Sequence, residues 1–174
     1  PQNLSEESDD ENEEHSIFAI NYPKGNKLGE AIHQIFEHLD FNEIGNCDFE
    51  TIKANQDFSH LIETAFTGQF LPIHKNVSWT EKTKEMVWHT LNAKLLEIQG
   101  SKETQRSFQL KDLPKENRKP EMEFHFNAKT DENILKKFCK GFMDLVFIRE
   151  INGKPVYSIL DWKSNLLPDY HKTT

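Results

Sequence analysis

"GFMDLVFIREINGKPVYSILDWKSN", residues 141–165, is the stretch on which the fold turns. Two β-rich runs, "GFMDLVFI" and "PVYSILDWK", flank Asn152-Gly153, the dipeptide that most strongly favours a two-residue type I′ hairpin loop. With a loop of that length Ile151 stands opposite Lys154. Counting outward sets Asp144 opposite Asp161, with Cβ atoms about 4.5–5.5 Å apart. A slip of one residue would undo this pairing, and Pro155 removes a ladder donor beside the turn. Val146, Ile148, Tyr157 and Ile159 share the side of the acids, and Lys163 joins them by alternation; Leu145, Phe147, Val156 and Leu160 take the other side. Strands apolar on both faces predict a sheet covered by helices, an α/β architecture.

Two like charges facing each other in a partly dry setting repel, and one is driven to protonate. A divalent cation removes the conflict, since carboxylate oxygens are the natural ligands of Mg²⁺ and Mn²⁺. Lys163 then adds an ammonium beside the ion. Metal, acids and amine together suit phosphodiester hydrolysis, with charge on the phosphorane oxygens stabilised from two sides. The bland alternative is a pair of solvated acids at a sheet edge, with Lys163 a surface charge.

Upstream of the hairpin the chain has helical and extended segments but no internal repeat. "NKLGEAIHQIFEHLDF" spaces Leu28, Ile32, Ile35, Phe36 and Leu39 as one helix face, with Asn26 available as N-cap. "DFSHLIETAF" repeats the signal until "GQFLP" stops it. A longer helix is expected from Trp79 to about Ile98, on Met86, Val87, Leu91, Leu95 and Ile98. "KDLPKENRKP" reads as a polar linker, "EMEFHF" as a strand with period two, and "DENILKKFC" as a short helix or turn.

The formal charge of −8 misleads about partners. The first 14 residues, "PQNLSEESDDENEE", hold seven acids and no Lys or Arg, which leaves 22 acids against 21 bases in the remainder. Residues 1–16 are therefore expected to be an acidic disordered tail or linker, and 17–174 the folded domain. No apolar run reaches the roughly 18 residues a bilayer span needs, and no signal-peptide pattern opens the sequence. Two cysteines, Cys47 and Cys139, make no disulfide framework, so a cytoplasmic location is expected.

"GFMDLVF" followed by "YSILDWKSNLL" resembles the metal-binding core of the RecB-type nucleases, a branch of the PD-(D/E)XK superfamily. "YPKGNKLGEAIHQIFEHLDF" is similar to that domain's first helix, where a Gly and then a His precede an Ile/Leu-Phe-Glu run, and "EMEFHF" to the strand before the metal hairpin. The likeness covers roughly residues 22 to 170 in pieces. It implies a mixed central sheet of three or four strands with the hairpin central and helices on both faces. It implies that His33, Asp144 and Asp161 ligate Mg²⁺, with the backbone carbonyl of Trp162 as a further ligand, and that Lys163 orients the attacking water or stabilises the transition state. Asp144, Asp161 and Lys163 are the expected catalytic residues. The imidazole suits Mn²⁺ better than Mg²⁺. Glu123, alternating with Glu121 on its strand, is expected in a supporting position, as more weakly is Tyr170.

The resemblance further implies a DNA nuclease acting in double-strand-break repair and recombination, on a strand delivered by a helicase in the same polypeptide, with other subunits of a recombination complex as partners. ATP would bind only in that helicase, because no Gly-rich Lys-Ser/Thr loop occurs in these residues. An iron–sulfur staple is excluded, because it needs four cysteines. The family's Gln-x-x-x-Tyr element has no counterpart after Lys163, and the stretch between "EMEFHF" and "GFMDL" is short, so the nuclease core is expected to be incomplete at its C-terminus. The rival readings are a non-catalytic DNA-binding or scaffolding domain that keeps the nuclease fold, and a stand-alone endonuclease of the same superfamily.

Overall fold

The computed structural model describes residues 22–71, 79–99, 102–128 and 137–163, the side chains of 97–105, 127–128 and 137–138 apart. Helices come first in the chain and sheet last. The helices are α1 (Asn26–His38), α2 (Phe41–Asn46), α3 (Phe49–Ala54), α4 (Gln56–Gly68) and α5 (Trp79–Asn92). The strands are β1 (Leu95–Gln99), β2 (Lys102–Phe108), β3 (Arg118–Ala128), β4 (Lys137–Ile151) and β5 (Lys154–Leu160). Among the described residues no helix is long and apolar enough to cross a membrane.

Local chemistry explains the breaks between helices. Asp40 caps α2 by accepting from the backbone N–H of Asn42 and Glu43, Asp48 caps α3 through Thr51, and Asn55 caps α4 through Phe58. α1 departs from expectation: Gly25, not Asn26, holds the cap position, at a φ of 89° that glycine adopts without steric cost. The buried residues Leu28, Ile32, Ile35 and Phe36 of α1 meet Phe58, Ile62 and Phe66 of α4, and α4 leans on Val87 and Leu91 of α5. Lys84 is sealed inside this layer at 1% exposure. Its ammonium donates to the carbonyls of Lys53 (2.9 Å) and Asn55 (2.7 Å), satisfying the C-terminal end of α3. Burial pulls its pKa below the ordinary lysine value.

The helix expected to run to Ile98 ends at Asn92, and Leu95–Gln99 pairs with β2 instead. Asn92 makes the exit: its amide donates to the carbonyls of Gly45 and Trp88 while its own carbonyl accepts from Gln109. The expected polar linker is two 3₁₀ turns, Leu110–Asp112 and Lys115–Asn117, that bury Leu110 and Leu113. Past them, the Arg118 guanidinium lies 3.8 Å from the Phe41 ring centroid and so joins sheet to helices. The segment expected to form a short helix or turn lies outside the described residues up to 136, and its last part opens β4.

The larger sheet has the order β3-β4-β5. The hairpin register is the one the Asn-Gly turn predicts, running from Ile151 opposite Lys154 to Leu145 opposite Leu160. Asn152 and Gly153, at φ 55° and 72°, supply the two left-handed residues that a type I′ turn needs. Two expectations are corrected. Every described strand pair is antiparallel, so the described sheets are not mixed, and β4 is central while β5 forms an edge. Among the described residues helices cover one face only: Leu145 and Phe147 are buried, whereas Tyr157 and Ile159 are 73% and 63% exposed. The apolar pattern on both faces therefore marks a second face that no described element covers.

Candidate metal centre

The site forms where α1 passes the end of the β4–β5 hairpin. On α1, Ile32, Ile35 and Phe36 point into the core, and His33 lies at the edge of that stripe, half-buried. Its Nδ1 is 3.4 Å from Glu121 Oε1 and its Nε2 is 3.6 Å from Asp144 Oδ2. One donor atom from each of His33, Glu121 and Asp144 lies within 4.8 Å of the others. A single ion bonded at about 2.1–2.4 Å could bridge atoms so spaced.

Glu121 stands opposite Asp144, between the Pro120–Leu145 and Met122–Met143 pairs of the β3–β4 ladder. Its φ of 46° is left-handed, a conformation that costs an L side chain roughly 1–3 kcal/mol and persists only where its surroundings impose it. The unbroken register keeps Glu121 on the face of Asp144, within reach of His33. Glu123, the acid expected to support the site, is exposed: its Oε1 lies 3.1 Å from His125 Nε2 and against Lys140 across the ladder. A Glu121→Gly variant is expected to gain about 0.5–1 kcal/mol in urea unfolding, because glycine accepts this φ, while its affinity for Mn²⁺ falls at least tenfold. Unchanged Mn²⁺ affinity would take Glu121 out of the ligand set.

Trp162 organises the hairpin end. Its backbone N–H donates to Asp144 Oδ2 at 2.6 Å, just past the last ladder pair. Its indole stacks on Phe36 of α1, with centroids 4.0 Å apart and planes 10° from parallel. Asp161 follows β5, and its Oδ2 lies 2.5 Å from Lys163 Nζ. That hydrogen bond raises the Lys163 pKa above the ordinary lysine value against an opposing desolvation, with the charges of Asp161 and Asp144 adding to the rise. Asp161 lies outside the group formed by His33, Glu121 and Asp144.

Of the residues expected from sequence, His33 and Asp144 come together directly, with Trp162 bonded to Asp144 and Lys163 bonded to Asp161. Tyr170 lies outside the described residues. Glu121 joins them unexpectedly. Its signal was the ladder position facing Asp144, but no tight turn sets the β3–β4 register in the sequence. No protein-family model matches the chain, and no curated protein matches it in sequence.

Two carboxylates and one imidazole form a donor set that fits a divalent ion: the oxygens suit Mg²⁺ and Mn²⁺ alike, and the ring nitrogen favours Mn²⁺. All three side chains are partly solvent-exposed, Asp144 least at 12%, so the cluster is open to a water or a phosphate.

Proposed function

We propose that this chain carries the nuclease centre of a RecB-type, PD-(D/E)XK domain: a divalent-metal-dependent DNA phosphodiesterase of the exodeoxyribonuclease V beta-subunit kind, working with a helicase. The observation that carries the reading is the convergence of His33, Glu121 and Asp144 beside the Asp161–Lys163 pair.

His33, Glu121 and Asp144 would hold the ion, with the Asp161–Lys163 pair beside it. Bound there, the ion would supply hydroxide near neutral pH and positive charge against the developing phosphorane. The residues themselves do the rest. Trp162 N–H fixes the Asp144 carboxylate, so that its charge is presented in one orientation. Asp161 holds the Lys163 ammonium protonated and in place. From there Lys163 can pair with a non-bridging phosphate oxygen or orient the attacking water. In this reading ATP is the business of the helicase.

The test is Mn²⁺ soaked into crystals of the protein, read by anomalous scattering. The peak is expected among His33, Glu121 and Asp144, and its distance from Asp161 shows whether that carboxylate joins. A peak elsewhere, or none at millimolar Mn²⁺, removes the reading.

A further inference from the structure

The outer edge of β5 carries an unused set of main-chain groups. β5 ends the order β3-β4-β5, and among the described residues no strand pairs with its far side. The turn decides which groups those are. In a two-residue type I′ hairpin Ile151 and Lys154 exchange both ladder bonds, and by alternation so do Arg149 with Val156, Phe147 with Ser158 and Leu145 with Leu160. The residues between them, Pro155, Tyr157 and Ile159, turn their main-chain groups outward. Pro155 therefore removes no donor from the hairpin ladder; it blanks one on the outer edge. Tyr157 and Ile159 each keep an outward donor and an outward acceptor.

The two edges of the sheet are guarded differently. β3 carries Lys119, Pro120, Glu121, Glu123 and His125, charges and a proline of the kind that keep strand edges apart. Past Pro155, β5 reads Val156-Tyr157-Ser158-Ile159-Leu160, with no charge, proline or glycine. Tyr157 and Ile159 are exposed on the face of Asp144. The groove of about 870 Å³ that flanks this edge is walled on its other side by Leu95, Leu96 and Phe108. An edge of this composition is a template for another strand.

The residues of β5 say which strand. Laid antiparallel on a second copy of itself about a two-fold axis at Ser158, Tyr157 falls opposite Ile159 and Val156 opposite Leu160, each pair occurring twice. Outward groups then meet outward groups, so that Tyr157 of each copy exchanges both bonds with Ile159 of the other. An aromatic and a β-branched side chain face each other across the new ladder, a favourable cross-strand pair, and no charge opposes a like charge. Neighbouring registers are poorer. An axis at Tyr157 sets Pro155, without an N–H, against Ile159, and an axis at Ile159 sets Asp161 against Tyr157. We propose that β5 pairs with β5 of a second copy of this chain, joining two three-stranded sheets into one of six strands. Seven residues of strand edge fall short of the roughly 800 Å² per partner that standard interfaces bury. The dimer is therefore reversible, with a dissociation constant on the order of 10 µM. It does not depend on the metal reading.

Sedimentation equilibrium of the whole chain, from about 1 to 200 µM, should show monomer passing into dimer. Tyr157→Lys should weaken association at least tenfold, because it sets two like charges diagonally across the axis. Tyr157 is exposed, so in dilute solution, where both are monomeric, this variant should melt with the parent. Cross-linking reads the register. Ser158 would face its own counterpart as a non-hydrogen-bonded pair, with Cα atoms about 4.5 Å apart and within disulfide reach. Ser158→Cys, oxidised with copper–phenanthroline, should therefore give a dimer linked through the new thiol, as mapped by mass spectrometry. Val156→Cys lies on the same face but four residues along the ladder from its counterpart, and should not cross-link. Nor should the parent, which carries Cys47 and Cys139. A chain that stays monomeric at the highest concentration overturns the proposal. So does a dimer that Tyr157→Lys leaves intact, or one in which the thiols at 156 and 158 cross-link alike or neither does.

Discussion

An Asp144→Asn variant is expected to lose metal-dependent DNA cleavage by about 10³-fold or more, while unfolding at nearly the parent's urea midpoint. Asp144 is the residue to change because three groups converge on it: the His33 ring, the Trp162 N–H and, across the ladder, Glu121. Asparagine keeps the volume and leaves an oxygen for the Trp162 N–H, so the hairpin end should hold. What disappears is the charge that gathers a cation and a phosphate at one point. Cleavage within a few-fold of the parent, measured on a labelled single strand with Mg²⁺ or Mn²⁺, would remove Asp144 from the chemistry and the nuclease proposal with it.

The largest effect on stability is expected far from that centre, at Lys84. Lys84→Ala should cost about 3–5 kcal/mol, combining a cavity with two stranded carbonyls, those of Lys53 and Asn55. Lys84→Met keeps the stem beside Phe58 and should cost roughly half as much, isolating the lost hydrogen bonds. Urea unfolding with an unchanged slope reads both. A loss under 1 kcal/mol for the alanine variant would mean that water reaches those carbonyls without the ammonium. Helical spacing puts Lys84 on the face of Val87 and Leu91, three and seven residues on, but a lysine there is not expected to be sealed from solvent. Only the meeting of α5 with the α3–α4 junction reveals it.

The hairpin was legible because the Asn152-Gly153 loop sets register by itself, and from register the neighbourhood of Asp144 and Trp162 follows by counting. The helices α1 and α4 were legible from their apolar spacing. The errors have particular causes. Leu95 and Ile98 fit helical spacing equally well as a continuation of α5, and only pairing with β2 decides for a strand. Alternation treats Glu121 and Glu123 alike and cannot choose between them as supporting acids. Ladder position separates them, Glu121 facing Asp144 and Glu123 facing Phe142, and no turn in the sequence sets that register. The apolar pattern on both sheet faces predicts two helical layers, of which the described residues supply one.

The stack of Trp162 on Phe36 has a consequence for how the site assembles. Phe36 sits on α1 one turn beyond His33, and Trp162 holds Asp144 by its own amide, so a single side chain spans the gap between donors far apart in the chain. The spacing of those donors is therefore inherited from the hydrophobic interior. An excised hairpin peptide would have no affinity of its own for a cation. Any ion captured by the intact domain would act as a clasp, adding about 1.4 kcal/mol of resistance to unfolding for each tenfold rise in concentration above its dissociation constant. Melting temperature would then serve as a gauge of occupancy.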